Sequence, residues 1–255
     1  MPGAAGSSGQ LRSACYAIMD NNRHSTKTSA TPFGCVWDLD GVLVDSGVAH
    51  RAAWTALAEE LGFSWSDELH TRTFGMRNPD IIRIAWGVEG PADQVNQWGE
   101  HKEELFRDQA RGLRALPGAA ELVRDLHAHG WRQAIGSSAP AANVALLLEV
   151  LNLTRYFDSV VSGDDITRGK PDPEVFRTGF QRLEVPPARG VVIEDAVAGV
   201  QAGVASGAFT IGVTNTRGRA DLQAAGAHLV VDSLTELDAA RLEVAIARFR
   251  AGRKG

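Results

Sequence analysis

The chain has 255 residues, enough for one large domain or a core with a smaller satellite, and its 44% hydrophobic content suffices for a full core. A formal net charge of -5 offers no basic field to nucleic acid or an anionic membrane, and no apolar stretch approaches the ~20 residues of a membrane span. The two cysteines, Cys15 and Cys35, lack the spacing of a zinc cage or a disulfide framework, which fits a reducing cytoplasm.

Residues 1–32 are rich in Gly, Ser, Ala, Asn and Thr and read as a disordered tail. A basic, serine-rich targeting peptide and an over-extended start, with Met19 the true first residue, are the other readings. From residue 33 onward, short β-rich runs at 33–37, 132–135, 159–161, 191–193, 209–213 and 229–231 have the character of buried parallel strands. Helical segments separate them. Pro117 is expected to open a helix that ends before Gly130 and carries Leu122, Val123 and Leu126 on one face. Pro140 is expected to open 141–151, and Asp172-Pro173 reads as an N-cap followed by the first helical position. This alternation predicts βαβ units and the α/β class, with a doubly wound parallel sheet.

Residues 47–114 break the rhythm, with several helices and no convincing strand. The first helix has Trp54, Leu57, Ala58 and Leu61 on one stripe and Gly62 as its stop; others follow Asn78-Pro79 and cover 93–111. The expectation is an all-α subdomain at 47–114, inserted into a core made of 33–46 and 115–250. Leu116-Pro117-Gly118 marks the return.

The chemistry gathers at strand ends. Asp38-Leu39-Asp40-Gly41 leaves the first strand, and acids at i and i+2 stay on one side of a strand, roughly 6.6 Å apart at about 3.3 Å per residue. That gap admits a phosphoryl group, with Asp38 attacking phosphorus and Asp40 exchanging a proton. Gly136-Ser137-Ser138 follows the second strand, where a hydroxyl and free N–H groups at a helix start suit an anion; one of the two serines is expected to cap that helix. Gly169-Lys170-Pro171-Asp172-Pro173 sets a lysine on a stiff loop, and Glu194-Asp195 ends the fourth strand. Sites in open parallel sheets form at such carboxyl ends. Asp38, Asp40, Glu194 and Asp195 repel one another when only Lys170 opposes them, so a divalent cation is expected, and all-oxygen ligands beside phosphate favour Mg²⁺.

In these four motifs, over residues 33 to 232, the chain resembles the phosphotransferase branch of the haloacid dehalogenase superfamily. The resemblance implies a Rossmann-like core with a mobile helical cap that excludes water. It implies Asp38 as nucleophile, Asp40 as general acid and base, and Ser137 and Lys170 as holders of the phosphoryl group. It implies Mg²⁺ on the Asp38 carboxylate, the Asp40 carbonyl and Asp195, supported by Glu194. Asp40 is the second acid that dehalogenases lack. Within the superfamily the chain looks most like the β-phosphoglucomutase-like group. His50 stands twelve residues after the nucleophile, Gly75-Met76-Arg77 resembles the cap loop whose arginine grips a distal phosphate, and Lys102 falls near a cap lysine. His50, Arg77, Lys102 and Ser138 are therefore the candidate substrate-binding residues. His50 read alone also continues the Trp54/Leu57 stripe, as a packed core histidine would, while Arg77 and Lys102 also suit an ordinary surface. One departure is that Pro140-Ala141 stands where those mutases carry Lys-Asn.

The function expected is a Mg²⁺-dependent phosphatase of a small phosphorylated metabolite, a sugar phosphate, working through an aspartyl-phosphate as a cytoplasmic monomer or weak dimer. A β-phosphoglucomutase-type isomerase is the alternative. A non-catalytic receiver-like binding module is the third reading, which the helical cap and the nucleophile on the first strand disfavour.

Overall fold

The computed structural model describes residues 31–74, 76–88 and 92–252; residues 1–30, which hold Cys15 and nearly all of the segment read as a tail, lie outside the described residues. Six strands form one parallel sheet: β1 (Gly34–Trp37), β2 (Arg132–Gly136), β3 (Ser159–Val161), β4 (Gly190–Glu194), β5 (Phe209–Val213) and β6 (Leu229–Val231). Their order is β3-β2-β1-β4-β5-β6, so the chain winds outward in both directions from β1. The doubly wound sheet expected from the sequence is thus present, and its order reverses between β1 and β4. That is where such sheets open a crevice.

Five helices of the described residues come between β1 and β2, and the first four form the helical block: α1 (Gly47–Leu61), α2 (Asp67–Thr73), α3 (Asn78–Trp86) and α4 (Ala92–Ala110). Trp54, Leu57, Ile81, Ile82 and Val95 form a cluster of their own there, edged by Trp65, Trp86 and Trp98. Trp54 stacks on Trp65 with ring centroids 4.9 Å apart. Gly62 ends α1 in the left-handed region at φ +73°, the conformation for which a glycine stop is suited. The short α2 was not expected, although Ser66 at its start accepts a hydrogen bond from the Leu69 N–H at 3.1 Å. The far end of α4 behaves differently, because Phe106 and Ala110 are buried in the main core. The outgoing and returning connections run side by side: Val44 pairs with Ala115, and the Leu116 N–H donates to the Leu43 carbonyl at 2.9 Å.

The remaining helices are α5 (Ala119–Ala128), α6 (Ala141–Val150), α7 (Glu174–Leu183), α8 (Val197–Ser206), α9 (Arg219–Ala224) and α10 (Ala239–Gly252). Alternation along the strands divides the core in two. Cys35, Trp37, Ile135, Val191 and Ile193 face α5, α6 and α10, whereas Val36, Ala134 and Val192 face α7 and α8. Both faces are covered, which is why the strands are apolar at successive positions. Fully buried side chains such as Leu39 and Phe176 contribute about 1.5–3 kcal/mol each. Cys35 is one of them, a free thiol whose pKa burial pushes well up, so it packs as a small apolar group.

Two helix starts differ from expectation by a residue or two. Pro117 lies outside α5, which begins at Ala119 after Gly118 at φ +81°. A Cβ at Gly118 would stand 2.4 Å from the Thr235 nitrogen, so a glycine is required there and sets the boundary. Helix α7 begins at Glu174, whose N–H donates to the Asp172 carboxylate at 3.0 Å; the aspartate caps as expected, one residue further out.

Candidate active site

The loop after β1 is folded by its own backbone. The Asp38 N–H continues the β1–β4 ladder to the Ile193 carbonyl at 3.0 Å, after which the Gly41 N–H donates to the Val44 carbonyl at 2.8 Å. Gly41 has φ +82°, and a Cβ there would collide with the Asp195 carboxylate. Glycine is thus demanded twice, by conformation and by the close approach of an acid from β4.

The end of β4 is tied as firmly. Glu194 accepts from the N–H groups of Asp195 and Ala196, each at 2.9 Å, and Gly199 of α8 leaves no room for a side chain beside it. Thr216, after β5, donates to Asp195. Lys170, from the loop before α7, donates to Asp38 at 2.5 Å and to Glu194 at 2.7 Å. All four of these charged side chains are almost wholly inaccessible.

Oxygens of Asp38, Glu194 and Asp195 lie within 4.8 Å of one another. Three buried carboxylates facing one ammonium leave excess negative charge, which water cannot screen. Burial, followed by the charges of Glu194 and Asp40, outweighs Lys170 and pushes the Asp38 carboxyl up to about 7. Asp195 is likewise raised, first by burial and then by Glu194 and Asp38. Burial also acts against the charged Lys170, but Asp38 and Glu194 outweigh it and lift the ammonium above its ordinary value. A hard divalent cation fits this oxygen cluster, because it supplies the missing positive charge where the carboxylates converge.

Asp40 is not one of that trio. Its carboxylate accepts from Ser46 at 2.5 Å and faces His50 Nε2 at 3.4 Å. Burial would raise its pKa, yet hydrogen bonds from His50 and Ser46 and the charge of Lys102 hold it below the ordinary value. His50 stacks on Phe106 at 4.0 Å, and Lys102 Nζ lies 2.7 Å from its Nδ1. An ammonium can only donate, so Nδ1 accepts and the ring hydrogen sits on Nε2, towards Asp40. Lys102 in turn pairs with Glu103 at 2.9 Å.

Every residue selected from the sequence lines one cleft: Asp38, Asp40, Ser137, Ser138, Lys170, Glu194 and Asp195 at the strand ends, with His50, Arg77 and Lys102 from the helical block. Arg77 reaches across the cleft to the Thr167 carbonyl at 3.2 Å while pairing with Asp80. The surface placement that also suited Lys102 is overturned, since it is 2% exposed. A further correction concerns the serines. Neither caps α6; the Ala141 N–H takes the Asp164 carboxylate at 3.1 Å, and Ser137 Oγ accepts from the Ala139 N–H at 3.0 Å.

Residues 34–207 match the haloacid dehalogenase-like hydrolase family. The chain belongs to this family. A phosphorylated carbohydrates phosphatase from Thermotoga maritima is 31% identical over 199 residues, covering 76% of this chain and 92% of that protein. The β-phosphoglucomutase of Bacillus subtilis is 28% identical, over 79% and 90% of the two chains. In fold, a β-phosphoglucomutase structure from Clostridium difficile has a TM-score of 0.77 at 23% identity, covering 86% of this chain and 98% of that one. The likeness to the β-phosphoglucomutase-like group therefore holds, and a haloacid dehalogenase-like hydrolase is an enzyme rather than a receiver-like binding module.

Sequence reasoning about this haloacid dehalogenase-like hydrolase missed Ser46, Glu103, Asn143, Asp164 and Thr216. Ser46 follows closely on the Asp38–Gly41 motif and could have been found there. Glu103 carried no signal, because it sits in a run of charged helical residues that reads as a solvated face. Among the described residues, no helix is long and apolar enough to cross a membrane.

Proposed function

We propose that the protein is a Mg²⁺-dependent phosphatase of a small sugar phosphate and works through an aspartyl-phosphate on Asp38. The observation that carries this reading is the buried trio of Asp38, Glu194 and Asp195 clamped by Lys170, at the mouth of a crevice roofed by a helical block. The relative named as a phosphorylated carbohydrates phosphatase supports hydrolysis and a sugar-like substrate.

On this reading Asp38 and Asp195, with the Asp40 carbonyl and Glu194 in support, hold Mg²⁺, which supplies positive charge against which a carboxylate can approach a phosphate. An Asp38 oxygen attacks phosphorus and the ester P–O bond breaks. Asp40 gives its proton to the departing alkoxide, leaving a free alcohol and a phosphorylated Asp38. A phosphate dianion arriving beside Asp40 raises that carboxyl's proton affinity, which favours the acid form it needs. Water then attacks the same phosphorus, Asp40 takes its proton, and the P–O bond to Asp38 breaks to release inorganic phosphate. Ser137 Oγ already accepts from Ala139, so its hydroxyl hydrogen is available to a phosphoryl oxygen. Lys170 balances charge on Asp38 and on those oxygens.

Residues 47–114 act as the cap. They exclude water and present His50, Arg77 and Lys102 to the sugar.

The test is a panel of sugar phosphates in magnesium buffer, scored for free phosphate and for isomerised sugar phosphate. Asp38→Asn is expected to lower phosphate release by at least about a thousandfold while the protein stays folded. Undiminished release by that variant would rule out the aspartyl-phosphate. An isomerised sugar phosphate as the main product would make the enzyme a mutase.

A further inference from the structure

We propose that Glu103 is a specificity-determining residue, whose buried carboxylate keeps a second phosphate out of the cleft and so selects a monophosphate with an uncharged remote end. The inference rests on the phosphatase reading and narrows its substrate class.

Glu103 lines the cleft from α4 and is 4% exposed. It accepts from Lys102 Nζ at 2.9 Å, from Asn78 Nδ2 at 2.7 Å and from the amide of Asn143 on α6. Burial alone would raise its pKa, but Lys102 and His50 outweigh it and the carboxyl lies below its ordinary value. The wall therefore holds a fixed anion, gripped from three sides and unable to turn away.

The cations near it are already engaged. Lys102 Nζ is shared between Glu103 and His50 Nδ1, and the rings of Trp54 and Phe106 each lie 5.3 Å from it. Arg77 is held by Asp80 and by the Thr167 carbonyl, each at 3.2 Å. Lys170 serves Asp38 and Glu194 at the phosphoryl end. His70 is pushed down to about 4, by burial first and by His50 next, so its ring stays neutral.

A second phosphate dianion reaching this wall would meet the Glu103 carboxylate, while the lining cations Lys102, Arg77 and Lys170 are each already paired with a carboxylate. Like charges brought together in a desolvated site discriminate strongly between partners. A polyol end meets no such opposition. The Asn78 amide and the apolar faces of Trp54, Ile81 and Pro140 suit hydroxyls and C–H edges.

The experiment compares kcat/KM for fructose 1-phosphate and fructose 1,6-bisphosphate, or for another hexose monophosphate the enzyme hydrolyses and its bisphosphate. Wild type is expected to favour the monophosphate by at least about tenfold. Glu103→Gln keeps the shape and removes the charge, and is expected to erase most of that preference by raising the bisphosphate value. Asn143→Ala removes one donor and keeps the charge, and is expected to retain the preference. Equal use of both substrates by wild type overturns the proposal. So does an unchanged ratio in folded Glu103→Gln, or the same loss of preference in Asn143→Ala. Should Glu103→Gln fail to fold, inhibition of the wild-type enzyme decides, and a bisphosphate that binds as tightly as the monophosphate refutes the proposal. Failure of wild type to hydrolyse any monophosphate strikes the phosphatase reading instead.

Discussion

Asp38, Glu194, Asp195 and Lys170 reach the cleft from the ends of two strands and a distant loop, while Lys102 and Glu103, on the opposite wall, are neighbours in one helix. Both groups are buried and both are charged. At the strand ends three carboxylates share one ammonium, whereas on the wall one carboxylate has an ammonium and two amides. The first arrangement leaves charge unbalanced, ready for a cation and a phosphate. The second is internally satisfied and can act only by shape and by the charge it keeps.

Removing the lysine from each side sharpens the contrast. In chelator, Lys170→Ala is expected to destabilise the fold by about 3–5 kcal/mol, since it leaves buried carboxylates uncompensated. Lys102→Ala should cost less, about 1–3 kcal/mol, because Asn78 and Asn143 still donate to Glu103. Urea unfolding of both variants measures the difference, and equal losses would show that Asn78 and Asn143 do not compensate Glu103 when its ammonium is removed.

Acidity supplies a smaller, reversible test. Asp38 sits near 7 in the fold against 3.8 for the free group, so its protonated form is favoured by folding. Below about pH 4 that contribution is fully present, and it drains away as pH rises through about 7. Metal-free protein should therefore lose melting temperature between pH 5 and pH 8. Mg²⁺ should restore it mainly at pH 8, by about 1.4 kcal/mol at ten times its dissociation constant. A magnesium effect of equal size at pH 5 would count against the carboxylate trio as the site.

The two regions also differed in how far the sequence revealed them. Strand ends are legible because β-rich runs locate them and because acids, a serine or a lysine immediately afterwards have few structural uses. Asp38 and Ser137 follow strands directly and Glu194 ends one, whereas Lys170 stands on the stiff loop before α7; each signal is weak alone and specific only beside the others. Local patterns fared worse where a distant residue supplied the partner. Asp164 took over the cap expected of a serine, and Thr235 forced the glycine that moved the start of α5. Glu103 was illegible for the same reason, and Lys102 was reached only through the family resemblance. A charged pair on a polar helix reads as solvated until another helix, here α6 with Asn143, covers it.

The central position of β1 has a consequence for how the chain comes to be folded. Val36 pairs with Ala134 on one side and with Val192 on the other, so the first of the described strands to leave the ribosome is flanked by strands made much later. Contacts that span such sequence distances form slowly, because long loops must close before they are rewarded. Until residue 194 has emerged, one edge of β1 stays unpaired and open to association with other chains. Expression yield should consequently fall more steeply with temperature for this protein than for one whose strands pair in order of synthesis.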